Sequence, residues 1–164
     1  MNVLVTYGSS RGGTAGLADM VGDELRERGL RVEVLPAAQI HTLAPYDGVV
    51  VGAAIYINRC HPDVRRFVRH HRAELRQMPT FFFSSGPLDD SATTDDIPPV
   101  GQVEKLMDMV GAVEHVTFGG RLEPDAEGFV AGAMARKMAG DFRDRAQVTA
   151  WADRVADEMA AAAV

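Results

Sequence analysis

The stretch "GVVVGA", residues 48–53, is apolar at every position, with no polar residue on alternate sites. A strand with one face in water alternates, so a run like this one points to a strand covered on both faces, as in a parallel sheet. Val3 to Tyr7 and Thr80 to Ser84 ("TFFFS") have the same character, and Val32 to Leu35 and His115 to Phe118 complete five expected strands. Between them lie stretches with helical periodicity: Thr14 to Arg28, closed by Gly29, then His61 to Gln77, Val100 to Val110, Phe129 to Met138 and Ala146 to Ala162. Regular alternation of strand and helix predicts an α/β architecture, a parallel sheet with helices on both faces. Trp151, with Val148 and Val155 at i, i+3, i+7 spacing, belongs to its core. A chain of 164 residues is expected to form one domain over residues 1–164, burying roughly 70% of its unfolded surface.

Sheets of this kind take ligands at the carboxyl ends of their strands. Three loops leave those ends: Gly8 to Gly13, Ala54 to His61, and Ser85 to Gly101. The first, within "TYGSSRGGTAGLA", sets glycines, hydroxyls and one arginine at the entrance of a helix. Helix N-termini offer unpaired N–H groups and partial positive charge, which suits a phosphate. The glycine spacing of a nucleoside-triphosphate loop is present, but Thr14 stands where its lysine belongs, and no G-x-G-x-x-G dinucleotide fingerprint occurs. Two readings remain open from spacing alone. One is a loop for a monoester phosphate; the other is a Ser/Gly turn that caps the first helix.

"TYGSSRGGTAGLA" resembles the FMN-phosphate loop of flavodoxins, and its arginine is similar to the "S-R-x-G-x-T" form in the bacterial flavodoxin-like protoporphyrinogen oxidases, quinone-linked enzymes of haem synthesis. "YDGVVVGAAIYINRCHPDVRRFV", "FFFS", "FGGRL" and "TAWADRVADEM" fall in the order of that family's motifs, along almost the whole chain. The resemblance departs at Ala54, where the family has Ser, at Tyr56 and Ile57, where it has a basic residue and then an aromatic, and at the acidic "SSGPLDDSATTDD", where it carries basic residues. It implies a doubly wound five-stranded sheet in the order 2-1-3-4-5. It also implies noncovalent FMN, with Ser9, Ser10, Arg11, Gly12, Gly13 and Thr14 around the phosphate. Ala53, Ala54, Ile55 and Tyr56 would form the second flavin loop, the Tyr56 ring stacking on the isoalloxazine. Ser84, Ser85, Gly86, Pro87 and Leu88 would lie at its pyrimidine edge, with backbone N–H groups, which Pro87 lacks, turned to it. The implied activity is that of an FMN-dependent oxidoreductase with a quinone or a redox protein as electron partner and a porphyrinogen as substrate. An electron carrier without a small-molecule substrate, and a domain that keeps the fold but has lost tight flavin binding, are the alternatives. No side chain stands out as a catalytic acid or base.

The net charge of −6 argues against nucleic acid as a partner. One cysteine excludes a disulfide framework and suits a reducing cytoplasm. Met1 to Val5 is too short and too uncharged for a signal peptide, and no apolar run approaches a membrane span, so a cytoplasmic protein is expected, with at most peripheral contact at the inner face of the membrane. Arg65, Arg69, Arg72 and Arg76 share one helix stripe, opposite Val64, Phe67, Val68, His71 and Leu75. Such a stripe is ordinarily a solvated face, and it also suits an acidic partner or an anionic lipid surface. His61, His70 and His71 have no carboxylate or cysteine cluster to complete a metal site, and read as loop and helix-surface residues. Cys60 reads as a semi-buried loop thiol.

Overall fold

A computed structural model describes residues 1–8, 13–56, 59–86, 97–119, 121–122, 140–141 and 144–163, with backbone alone at 56, 121–122 and 140–141. The five apolar runs form parallel strands β1 (Asn2–Gly8), β2 (Arg31–Pro36), β3 (Gly48–Tyr56), β4 (Thr80–Ser85) and β5 (His115–Phe118). Their order across the sheet is β2-β1-β3-β4-β5. The helices are α1 (Gly13–Glu27), α2 (Pro62–His70), α3 (Arg72–Leu75), α4 (Gly101–Val110) and α5 (Arg145–Ala162).

Two layers of helix explain why the central strands do not alternate. On one face Val3, Val5, Val50, Phe81 and Phe83 pack with Leu17, Val21 and Leu25 of α1 and with Trp151, Val155 and Met159 of α5. On the other, Leu4, Val49, Val51 and Phe82 pack with Val64, Phe67 and Val68 of α2, Leu75 of α3, and Val103, Leu106 and Val110 of α4. Odd and even positions of one strand therefore both meet hydrocarbon, and each fully buried aliphatic or aromatic side chain contributes about 1.5–3 kcal/mol. α1 ends at Gly29, whose φ of +87° lets the Leu30 N–H return to the Leu25 carbonyl at 3.2 Å, a closure that a side chain at this position would strain. Trp151 is 1% exposed and meets Phe83 and Phe118 edge-on, as its spacing predicts.

Three features depart from the sequence reading. β3 runs on to Tyr56 and turns back, so that Arg59–Cys60 pairs antiparallel with it (Ile55 opposite Cys60, Tyr56 opposite Arg59) and adds a sixth strand to the sheet. "Ala-Ala" after Gly52 carries little strand preference, which hid the extension. The expected single helix over His61 to Gln77 is two, α2 and α3, separated at His71 (φ −101°, ψ 19°). His71 is buried against Phe67, in keeping with its place on the apolar stripe and not with the helix-surface reading of the histidines. Arg121–Leu122 and Gly140–Asp141 form a separate antiparallel pair that no pattern announced. The helix expected at Phe129 to Met138 lies outside the described residues. Among the described residues, no helix is long and apolar enough to cross a membrane.

Candidate functional site

The carboxyl ends of β1, β3 and β4 are in register. Gly8 lies opposite Ala53, Ala53 opposite Ser84, and Ala54 opposite Ser85. Three adjacent strands at about 4.8 Å spacing place Gly8 and Ser84 about 10 Å apart along one line. The strand ends from which the three loops singled out in the sequence depart thus lie side by side.

At the first of them, Gly13 and Thr14 are buried in the first turn of α1. That turn contains no acidic residue, so nothing in it opposes an anion at the positive end of the helix. Ser9, Ser10, Arg11 and Gly12 lie outside the described residues. At the second, Ala53 is buried, and Ala54 and Ile55 are half-buried on the extended end of β3. Tyr56 is the last residue of that strand, not a loop residue beyond it. At the third, Ser84 and Ser85 are buried and Gly86 follows with its N–H on the Phe118 carbonyl at 3.3 Å. Pro87 and Leu88 lie outside the described residues, as do the acidic positions 89–96. Ser84 Oγ is 2.7 Å from His115 Nε2 on β5. The Thr117 hydroxyl donates to the Ile97 carbonyl at 3.0 Å, which fastens the far end of that loop to β5.

Two side chains hold this edge together in roles not read from the sequence: His61, considered there only as a metal ligand or a loop or surface residue, and Gln102. His61 caps α2: its Nδ1 accepts from the Asp63 N–H at 3.2 Å, while its own N–H donates to the Ala54 carbonyl at 3.3 Å. Its ring also faces Gly8, where an added Cβ would fall 3.0 Å from Nδ1. The run His-Pro-Asp, with proline and an acid in the first turn, is the local signal for such a cap. Gln102 of α4 accepts the Cys60 N–H at 2.8 Å through Oε1 and so ties the returning strand to the helix layer; nothing local announces that contact.

Cys60 is 2% exposed and belongs to the Arg59–Cys60 strand, so it is a buried residue and not a semi-buried loop thiol. Burial pushes its thiol up to about 11, against an opposing pull from Arg65, which leaves it protonated and a poor nucleophile at neutral pH. On the arginine stripe, Arg69, Arg72 and Arg76 are exposed. Arg65 is half-buried, with its Nε enclosed and without a hydrogen-bond partner. The opposite side, Val64, Phe67, Val68, His71 and Leu75, is buried as expected. Among the described residues, no group of three His, Cys, Asp or Glu side chains is placed to hold a metal ion.

Residues 4–141 match the model of the flavodoxin domain family. The chain belongs to that family. Over 89 residues it is 32% identical to the protoporphyrinogen IX dehydrogenase [quinone] of Escherichia coli, a stretch covering 51% of this chain and 48% of that one. The chain thus spans about half the length of the curated relatives it matches. Among solved structures, a cysteine-to-serine mutant of the Pseudomonas aeruginosa flavodoxin superposes with a TM-score of 0.64 at 16% identity, covering 97% of this chain and 99% of that one. The rubredoxin oxygen:oxidoreductase of Desulfovibrio gigas superposes with a TM-score of 0.66 at 14% identity, over 98% of this chain and 36% of that one. At these identities the structures speak for the fold.

Proposed function

We propose that this chain, folded as one flavodoxin-like domain, binds FMN noncovalently at the carboxyl ends of β1, β3 and β4 and is an FMN-dependent oxidoreductase of the protoporphyrinogen oxidase type, delivering electrons to a quinone. The observation that carries the cofactor is the aligned row Gly8–Ala53–Ser84 beside a helix N-terminus free of acidic residues. The row spans about 10 Å, which suits a ligand with a phosphate at one end and a planar ring at the other. The quinone and the porphyrinogen rest on the E. coli relative and on Ser10, Arg11 and Gly13, which fit the "S-R-x-G" part of that family's loop, with Ala15 at the place of its threonine.

The residues present suit the group. Ser9, Ser10, Arg11, Gly12, Gly13 and Thr14 supply hydroxyls, backbone N–H groups and one cation for the phosphate. Ala53, Ala54, Ile55 and Tyr56 would border the ring, and Ser84, Ser85, Gly86, Pro87 and Leu88 would offer backbone to its polar edge. Bound FMN supplies the electron and hydride chemistry, and the protein contributes orientation and electrostatics. No side chain is assigned as a catalytic acid or base.

Titrating the protein with FMN and with riboflavin tests the cofactor. FMN should bind with flavin-type spectral changes, and riboflavin markedly more weakly. Arg11→Ala should weaken FMN about ten- to a hundredfold, the worth of a charge-assisted contact, and riboflavin little. Equal losses for both would remove Arg11 from the phosphate. Anaerobic oxidation of protoporphyrinogen with a menaquinone analogue tests the activity. Failure of that turnover with FMN bound would leave an electron carrier.

A further inference from the structure

We propose that the arginine row of α2 and α3 is a docking surface for an anionic lipid bilayer. Docking itself needs no flavin; its use, passing electrons to a quinone dissolved in the bilayer, rests on the FMN reading. Residues 59–76 hold six of the chain's 17 basic residues and, in Asp63 and Glu74, two of its 23 acidic ones. This segment therefore carries +4 in a chain whose total is −6, and the remainder carries −10. The two acids are occupied locally, Asp63 at 3.4 Å from Arg66 and Glu74 at 3.4 Å from His71. Arg69 and Arg72 are exposed and have no ion pair among the described residues, and Arg76 reaches the Met109 carbonyl at 3.5 Å.

The break at His71 does not turn the row aside. The His71 N–H donates to the Phe67 carbonyl at 3.0 Å and the Leu75 N–H to the His71 carbonyl at 2.9 Å, so helical pairing passes through the break. Val64, Phe67, Val68, His71 and Leu75 all stay buried. Arg65, Arg69, Arg72 and Arg76 thus keep one flank, over about 16 Å of helix axis. α4 lies alongside, with Gln102 accepting the Cys60 N–H at 2.8 Å towards one end and Met109 accepting from Arg76 towards the other. Lys105 shares that flank of α4 by its spacing from both, and is exposed; Glu104 and Asp108 are turned from it by about a quarter of a circle or more. The row begins at the carboxyl edge of the sheet, because α2 starts from His61, whose N–H donates to the Ala54 carbonyl. A bilayer seated on the row therefore adjoins the edge proposed for the flavin.

The choice of a lipid surface over a protein follows from what surrounds the charges. Protein interfaces are anchored by aromatic or aliphatic side chains in a dry centre. Among the described residues, the one large apolar side chain left exposed is Val113, which lies beyond α4. An anionic bilayer needs no such anchor, since its charge alone attracts each arginine near the surface. The same charge repels the rest of the chain, so the molecule approaches with α2 and α3 foremost.

Co-sedimentation of the flavin-free chain with vesicles tests the docking, with one part phosphatidylglycerol to two parts phosphatidylcholine compared with phosphatidylcholine alone. Wild type should pellet with the anionic vesicles, stay in solution with the neutral ones, and be released by high salt. Each arginine at the surface is worth about a fivefold change in partition, so Arg69→Gln with Arg72→Gln should weaken it about thirtyfold. Arg26→Gln with Arg154→Gln removes the same charge from exposed positions on α1 and α5 and should change binding little. Melting curves verify that both double variants are folded. Absent binding of the wild type, or equal losses from the two pairs, would overturn the proposal. Wild type retained by polyglutamate but not by anionic vesicles would assign the row to an acidic protein and overturn it as well. Because no flavin enters this measurement, failure of FMN to bind would leave the docking result standing.

Discussion

Gly52 shows how far a single position can govern the interior. An added Cβ there would sit 2.3 Å from Phe83 Cζ, and Phe83 is in turn packed against Phe118 and Trp151. No rotamer of a neighbouring flexible chain can relieve that overlap, so Gly52→Ala should lower unfolding free energy by about 1–3 kcal/mol or more, read from urea titration. Cys60 has a pH signature. Below about pH 9 both folded and unfolded chains hold the thiol proton, but the folded thiol keeps it to about 11. The unfolded chain loses its proton first, so stability falls as pH rises through that window. Between about pH 8 and 10.5, wild type should lose about 1–2 kcal/mol more than Cys60→Ala, the substitution removing the titrating group. At this scale the sequence discloses what composition can disclose: the glycines and hydroxyls of the loop proposed for the phosphate stand out locally, although Ser9 to Gly12 lie outside the described residues. His61 against Gly8, and Gln102 on the Cys60 backbone, join segments about fifty residues apart. Such contacts have no local periodicity and are visible only once the chain has folded.

The elements were the most legible level. Five strands and three of the expected helices follow from apolar runs and 3.6-residue spacing, with most boundaries within a residue or two, and a fourth, over His61 to Gln77, is present but broken in two. What escaped is what weak local preference conceals. Ala54 became strand opposite Ser85; Ile55 and Tyr56 did so because Arg59–Cys60 returned to pair with them, and His71 parted α2 from α3 while keeping its face in the core. Helix starts respond to single side chains. Asp144 Oδ1 accepts from the N–H groups of Ala146 at 2.9 Å and Gln147 at 3.4 Å. Asp144→Ala should lower stability by about 0.5–2 kcal/mol, with Asp144→Asn restoring most of it; paired urea titrations give both values. The ion pairs from Arg28 to Asp153 and Asp157, and from Arg145 to Glu24, also join α1 to α5. Their exposed positions make each worth about 0–1 kcal/mol, so the apolar seam between these helices dominates.

For the molecule as a whole, ligand and fold are linked. A group that binds only the folded chain stabilises it by RT ln(1 + [L]/Kd), about 2.7 kcal/mol at a hundred times Kd. FMN at that excess should raise the melting temperature by about 5–11 °C for a protein of this size; an unmoved melting curve would contradict the proposed cofactor. The packing of α5 on α1 has a consequence of another kind, in time. One entire face of the sheet, with Val50, Phe81 and Phe83, is completed by Trp151, Val155 and Met159 at the far end of the chain. During synthesis these residues arrive roughly 120 residues after Leu25, an interval of about 6–24 s at ordinary translation rates. Through that interval α1 can cover part of this face, and the part that Trp151, Val155 and Met159 complete stays exposed until α5 has left the ribosome.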